Sequence, residues 1–545
     1  MPETKKRIAW KEMLGLVLIL ALAAALRFQH IKADPPALIS SVSGSAGIYF
    51  DEGIYCHNAR NKILFGQWIT DEWNPIVYNA PLTLLYYAAF KAFGISIVTV
   101  KVLSILFGLC GILLFFIGVR AYLGPAGALG LTALFSLDFY GLMYNRIGLL
   151  ENFSSLFFLA SFALFAVSRG RPRMSFFLGM TSAVAALSKY LFVFFPIAAA
   201  LAVAYQARKR SELKSFLAFL AGGLAVGLAW LVGIYLPFRP TFGKIGAGWG
   251  MLSLPRSVGQ AWSNLVQNPL PRYLQLAPAA ALLLVLFGGL VLWKLVRARK
   301  VRPEPIDLFV LLWIAGGVVS MGLLNYRPLR YYVPVFPAFY LAGALLLRDR
   351  DRVRAEAGLF WPLALVSAGL LFPVIRMMAS RPSAFFVFPP AMRGLIYLSF
   401  GGAILFLLVR KAHWRPALDG ALLVLMLAGP AFLYARHFYL TPTYDLERAS
   451  RFFETLPPGS VVLGQEAPRL TLGTPFKSLL AYENWFNDRD TFSRYKPTHL
   501  VVLDKFGGVE EGWIRRRFPE TAVRLELVRK FKVWDTTMTL YRVPE

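Results

Sequence analysis

Between Tyr49 and Trp68 the chain reads YFDEGIYCHNARNKILFGQW: two adjacent carboxylates, Asp51 and Glu52, set among aromatic rings. On either side lie runs that only a bilayer explains. Upstream is MLGLVLILALAAALRF (Met13–Phe28) and downstream the apolar stretch from Ile97 to Gly118; with their flanks both reach the ~20 residues a helix needs to cross the hydrocarbon layer. The pattern recurs, as in LLLVLFGGLVLW (Leu282–Trp293). Of the 545 residues 57% are hydrophobic and only 16% charged, against roughly 25% charged in soluble domains, so the chain is predicted to be an all-α polytopic membrane protein. The acidic pair then sits in a loop at the membrane edge.

The formal net charge of +28 raises the question of nucleic acid, and the positions of the charges answer it. Arginines and lysines cluster in short loops between spans, at Arg169–Arg173, Arg208–Arg210, Lys294–Arg302, Arg348–Arg354 and Arg410–Arg415, all on what would be one side. That is the positive-inside pattern, so topology and not nucleic acid accounts for the charge. Placing these loops in the cytoplasm gives about thirteen spans by counting apolar windows, with the N-terminus inside and the C-terminus outside. The basic start, Lys5–Arg7, is followed by no small-residue cleavage site, so the first span is expected to stay attached. A prokaryotic plasma (inner) membrane suits this layout.

The transmembrane domain is assigned to residues 1–440, with an external loop at 28–95 that carries the acidic pair and another at 239–273. Glycines and prolines exclude a simple long helix from the second loop, and its segment Phe242–Gly250 reads as a mobile lid. From 441 to 545 charged residues become frequent, LPPG makes a turn, and SVVLG, THLVVLD and VRLELV read as strands. About a hundred residues suffice for a small extracytoplasmic α/β domain. Cys56 and Cys110 form no disulfide framework.

Several ionisable residues fall at the outer ends of spans. Asp51 and Glu52 read either as an exposed acidic pair or, enclosed by Tyr49, Phe50 and Tyr55, as carboxylates whose pKa is raised enough for general-base work. HNARNKILFGQW continues as an amphipathic helix along the membrane surface. Arg146 and Glu151 lie slightly more than a helical turn apart and read as a structural ion pair or as site residues. Lys189 in AALSKYLFVF either snorkels or serves a site, and Arg327 and Arg330 mark the head of another span. Cations at headgroup depth suit a lipid phosphate, and a carboxylate suits deprotonation of a hydroxyl. Asp51, Glu52 and His57 are candidate ligands for a divalent ion, but adjacent carboxylates with one histidine fall short of a defined set, so no metal or other cofactor is expected to be required.

Four separated motifs agree in order and side with one superfamily. YFDEGIYCHNARNKILFGQW with the following PLTLLYYAAFKAFG, NRIGLLEN, GMTSAVAALSKYLF and RYYVPVFP together resemble the polyprenol-dependent membrane glycosyltransferases of the GT-C type. The pattern is most similar to that of the protein O-mannosyltransferases and the lipid A aminoarabinose transferases. The resemblance implies inverting transfer of a sugar from an undecaprenyl- or dolichyl-phosphate donor to a hydroxyl on the outer face. It implies Asp51 as base, Glu52 assisting, Glu151 as the second acid, and Lys189 and Arg330 on the lipid phosphate. Arg146, Arg327, Tyr331, Tyr55 and His57 complete the candidate substrate-binding set. The acceptor, whether protein, lipid or glycan, stays open. Two other readings stand beside this one: a transporter or flippase of lipid-linked sugar, which needs ionisable groups at mid-membrane depth, and a non-catalytic cell-envelope assembly factor.

Overall fold

Apolar runs fold as helices because hydrocarbon offers the backbone no partners except its own segment. The computed structural model describes residues 10–35, 50–379 and 431–544, apart from 169, 211, 244–253, 268–269, 271–272, 275–276, 298–302, 433, 484, 504–508 and 534–535. Among the described residues seven helices are long and apolar enough to cross a membrane: Ile97–Arg120, Leu150–Ser168, Tyr190–Arg208, Leu213–Tyr235, Ala279–Val296, Pro305–Gly322 and Leu329–Arg348. Trp10–Phe28, Pro125–Ser136, Pro172–Ser188 and Ala357–Ala379 pack beside them. The chain is a multi-pass membrane protein. Residues 380–430, where further spans are expected, lie outside the described residues, as does the lid segment from residue 244 onward.

Burial sorts the helices. Leu329–Arg348 is almost wholly enclosed by its neighbours, whereas Leu213–Tyr235 buries little and turns Leu217, Leu220, Leu224 and Leu228 outward. Polar caps fix the ends at one face of the bundle: Asn79 accepts from the Leu82 amide at 3.1 Å and Ser96 from the Thr99 amide at 3.1 Å, each satisfying an otherwise orphaned helix N–H.

On that face sits a five-stranded sheet in the order β2-β1-β3-β5-β4, from β1 (Val461–Leu463), β2 (Lys477–Leu479), β3 (His499–Leu503), β4 (Glu526–Val533) and β5 (Thr536–Arg542). β1 runs parallel to β2 and β3, while β5 runs antiparallel to both β3 and β4. SVVLG and THLVVLD thus form strands as read. VRLELV does so only from Glu526, because Pro519 at the head of Pro519–Arg524 starts a helix that takes up Val523 and Arg524.

The sheet unit does not stand alone. Phe50, Ile54, Trp73 and Val77 from the first loop share one hydrophobic core with Leu446, Phe453, Val462, Leu470, Phe486 and Val501. Asp34 caps the helix Asp445–Phe453 by accepting from the Asp445 and Leu446 amides at 2.6 and 3.2 Å. Helix Asp51–Phe65, expected along the membrane surface, is buried over Asp51–Asn61 except for half-buried Tyr55. The reason lies in its polar residues: Arg60, with no exposure, donates to the carbonyls of Leu472, Thr471, Thr474 and Phe476 at 2.7–3.0 Å. These side chains find protein partners where a surface helix would have found water.

Gly53 permits the contact. A Cβ at this position would collide with the backbone of Pro468 and Arg469. Gly53→Val is expected to destabilise the protein by about 3 kcal/mol, at the upper end of overpacking costs, read as a lowered thermal midpoint in detergent. An unchanged midpoint would contradict the close approach.

Candidate active site

Four chain segments deliver ionisable groups to one point beneath the sheet unit. Asp51 opens the helix Asp51–Phe65, and Glu151 stands in the first turn of Leu150–Ser168. Lys189 occupies the extended break (φ −155°, ψ 113°) between Pro172–Ser188 and the turn Tyr190–Val193, a break that lets its side chain leave the helix direction. Arg330 lies on the tight turn Leu329–Tyr332, and Pro337 starts the following helix, Phe336–Arg348.

The groups meet closely. Lys189 Nζ donates to Glu151 Oε1 at 2.5 Å, Arg330 Nε lies 3.4 Å from the same oxygen, and Arg330 Nε lies 3.2 Å from Asp51 Oδ2. The Tyr331 ring forms the floor, with Lys189 Nζ 3.6 Å from its centroid and the Arg330 guanidinium carbon 5.4 Å away. Asp51 is 3% exposed, Glu151 0% and Arg330 5%, so two carboxylates and two cations share a nearly dry site. Burial pushes the Asp51 carboxyl above its usual range, and the Arg330 charge only partly offsets this.

Charge balance does not mean that hydrogen bonding is complete. Asp51 Oδ2, Glu151 Oε2, Arg330 Nε and Nη1 and Tyr331 Oη are all buried without a hydrogen-bond partner. An unmet buried polar atom costs about 1–3 kcal/mol, and more when charged. Two of the five, Arg330 Nε and Asp51 Oδ2, face each other at 3.2 Å as an ion pair; Arg330 Nη1 and Tyr331 Oη are left as donors for an anionic guest, and Glu151 Oε2 as an acceptor for a hydroxyl.

The other predicted residues go elsewhere. Glu52 faces away from Asp51: its Oε2 accepts from Arg469 Nε at 3.0 Å and its Oε1 from the Gly148 amide at 3.2 Å. Arg146 makes no ion pair with Glu151. It donates to the carbonyls of Leu26, Arg27 and His30 at 3.0, 2.9 and 2.8 Å and stacks on Phe438, because the C-terminal end of helix Trp10–Phe28 leaves carbonyls in need of donors. Arg327 likewise binds Asn264 Oδ1 and the carbonyls of Leu324 and Asn325. Tyr55 stays half-buried beside the cluster, its phenol pushed up by burial and then by Asp51 and Glu151.

His57, the third candidate ligand, turns away from Asp51 and Glu52. Its Nε2 lies 3.1 Å from Asp71 Oδ1, and Asp71 Oδ2 accepts from Asn487 Nδ2 at 3.0 Å, so the imidazole joins the sheet unit and not Asp51 and Glu52. Among the described residues no group of three His, Cys, Asp or Glu side chains is placed to hold a metal ion. Arg469 escaped the sequence reading, since nothing in its EAPRL context separates it from the other arginines of 441–545.

Comparison with known proteins follows the same lines. The family model of dolichyl-phosphate-mannose-protein mannosyltransferases matches residues 79–235, a span that includes Glu151 and Lys189. Among solved structures the chain is similar to ArnT from Cupriavidus metallidurans bound to undecaprenyl phosphate, at 16% identity and a TM-score of 0.60 over 98% of each chain. It is also similar to ArnT from that organism in the apo state, at 18% identity and a TM-score of 0.56 over 96% of this chain and 97% of that one. No curated protein matches the chain. The architecture is that of the GT-C superfamily, and the chain resembles its protein O-mannosyltransferases and lipid A aminoarabinose transferases.

Proposed function

We propose that the chain is an inverting glycosyltransferase that moves a sugar from a polyprenyl-phosphate donor to a hydroxyl acceptor, at the membrane face covered by the sheet unit. One observation carries this reading: Asp51 and Glu151 meet Arg330 and Lys189 in a buried cluster whose donors Arg330 Nη1 and Tyr331 Oη have no hydrogen-bond partner. Arg330 and Lys189 supply the positive charge a lipid phosphate needs, the guanidinium through paired N–H groups and the ammonium as a point charge. The structure similar to it that holds undecaprenyl phosphate supports this choice of donor.

The chemistry follows from the groups. The acceptor hydroxyl gives its proton to Asp51 as its oxygen attacks the anomeric carbon. The bond from that carbon to the phosphate oxygen breaks, and its electron pair stays on the phosphate. Arg330 and Lys189 receive the developing charge, so no separate acid is needed. The donor phosphate also draws Arg330 away from Asp51, which frees the base. We place the sheet unit outside an inner membrane and the N-terminus in the cytoplasm, because Arg120, Arg208, Arg297 and Arg348 end helices at the opposite face of the bundle.

The test is sugar release by purified protein from a panel of radiolabelled polyprenyl-phosphate sugars, with and without chelator, across pH. One donor is expected to turn over without added metal. Since only ionised Asp51 accepts a proton, kcat/KM is expected to fall on the acid side with a midpoint above the usual aspartate value of about 4. Lipid binding without turnover of any donor would favour transport or assembly over transfer; a profile flat down to pH 4 would remove Asp51 as base; loss of activity with chelator would show that a metal is required.

A further inference from the structure

The sheet unit reaches the transfer site itself. Helix Asp51–Phe65 is gripped at both ends by the single segment 467–476: Arg60 holds its carbonyls from Thr471 to Phe476, and Arg469 holds Glu52 one residue from Asp51. We infer that Arg469 is a positioning residue of the transfer site, fixing the head of the helix that carries Asp51 through Glu52; this rests on the transfer reading above.

The geometry is specific. Arg469 is 3% exposed and Glu52 2%, and their 3.0 Å contact is therefore nearly dry. Arg469 Nη1 is anchored in turn by Ser450 Oγ at 3.2 Å, and Glu52 Oε1 by the Gly148 amide in the turn that leads to Glu151. A chain of contacts thus runs from the sheet unit through Arg469 and Glu52 to the turn before Glu151. Gly53 presses its helix onto the backbone of Arg469, so the pair has no slack. Catalytic groups must be held within about 0.5 Å of their working geometry, and a misplacement of about 1 Å can cost 100-fold in rate. A carboxylate beside Asp51 that lost its cation would either seek solvent or turn toward Arg330 or Lys101, which is also buried on that side. Either movement displaces the head of the helix.

The inference separates two jobs. Arg330 and Lys189 hold the donor phosphate, whereas Arg469 touches no reacting atom and serves only the aim of Asp51. Its loss is therefore expected in kcat and not in donor affinity.

The experiment compares wild type with Arg469→Ala, Arg469→Lys, Glu52→Gln and the double variant Arg469→Ala/Glu52→Gln, all purified as the full chain. It measures kcat and KM on whichever donor the wild type turns over, and Kd for undecaprenyl phosphate. Arg469→Ala is expected to lose about 100-fold in kcat, with KM and Kd within about twofold of wild type. Arg469→Lys is expected to recover at least about tenfold of that loss, because it restores the charge. In the double variant the two losses should be clearly less than multiplicative, since each breaks the same link. Arg469→Ala with wild-type kcat would overturn the assignment, as would kcat and lipid binding falling together with multiplicative losses, which marks general unfolding. A wild type that binds undecaprenyl phosphate but transfers no sugar would overturn the transfer reading and this assignment with it, an outcome distinct from an active Arg469→Ala.

Discussion

Asp51→Asn is expected to lower sugar transfer by about 10³-fold, within the range that a positioned general base contributes, while the protein inserts, folds and binds lipid phosphate as before. Asparagine keeps the volume and one acceptor oxygen but cannot take a proton at neutral pH. It also removes a buried negative charge beside Arg330, so lipid-phosphate binding should tighten slightly. That divergence, slower chemistry with undiminished binding, distinguishes a lost base from a damaged pocket. A turnover number within about threefold of wild type would eliminate Asp51 as the base and move attention to Glu151, the other carboxylate of the cluster, whose Oε2 is buried without a hydrogen-bond partner.

The sequence made parts of this arrangement legible and concealed others, for physical reasons. Membrane-crossing helices declare themselves through length and hydropathy, and the outer ends of those helices are where Asp51, Glu151, Lys189 and Arg330 stand out as costly charges. Those four do converge. What local reading could not supply was direction. Arg146 lies five residues from Glu151, yet a turn between them sends its guanidinium back to the end of the first helix. His57 is six residues along the helix from Asp51, and its partner Asp71 comes from beyond the Gly66 turn, where φ is 73°. The sheet unit offers the strongest case. Composition separates 441–545 from the membrane domain, but its core needs Phe50, Ile54, Trp73 and Val77, nearly four hundred residues earlier in the chain. Pairings over such separations leave no periodic trace, so the Arg469–Glu52 contact was invisible from either end.

Arg330→Ala is the second large loss expected, and it has two separable components. The first concerns the donor: without the guanidinium, the phosphate loses its paired N–H contacts, and by analogy with removal of an oxyanion-stabilising donor kcat should fall about 10²–10³-fold. The second concerns the base. Arg330 is the principal charge opposing protonation of Asp51, which burial already favours, so its removal leaves Asp51 protonated further up the pH scale. The sign is definite: the acid limb of kcat/KM moves to higher pH, and raising the pH recovers this component while leaving the phosphate component lost. Stability should fall as well, because Asp51 and Glu151 both lose a buried partner and breaking such a pair costs about 3–5 kcal/mol unless a carboxylate takes up a proton. Arg330→Lys supplies charge without the planar fork, so it should restore most of the position of the acid limb but little of the donor affinity. A lysine variant that recovered both would mean that the phosphate needs only a point charge here, which Lys189 already provides. An alanine variant with unchanged lipid-phosphate binding would place the donor elsewhere and leave Arg330 as a counter-ion for the two carboxylates alone.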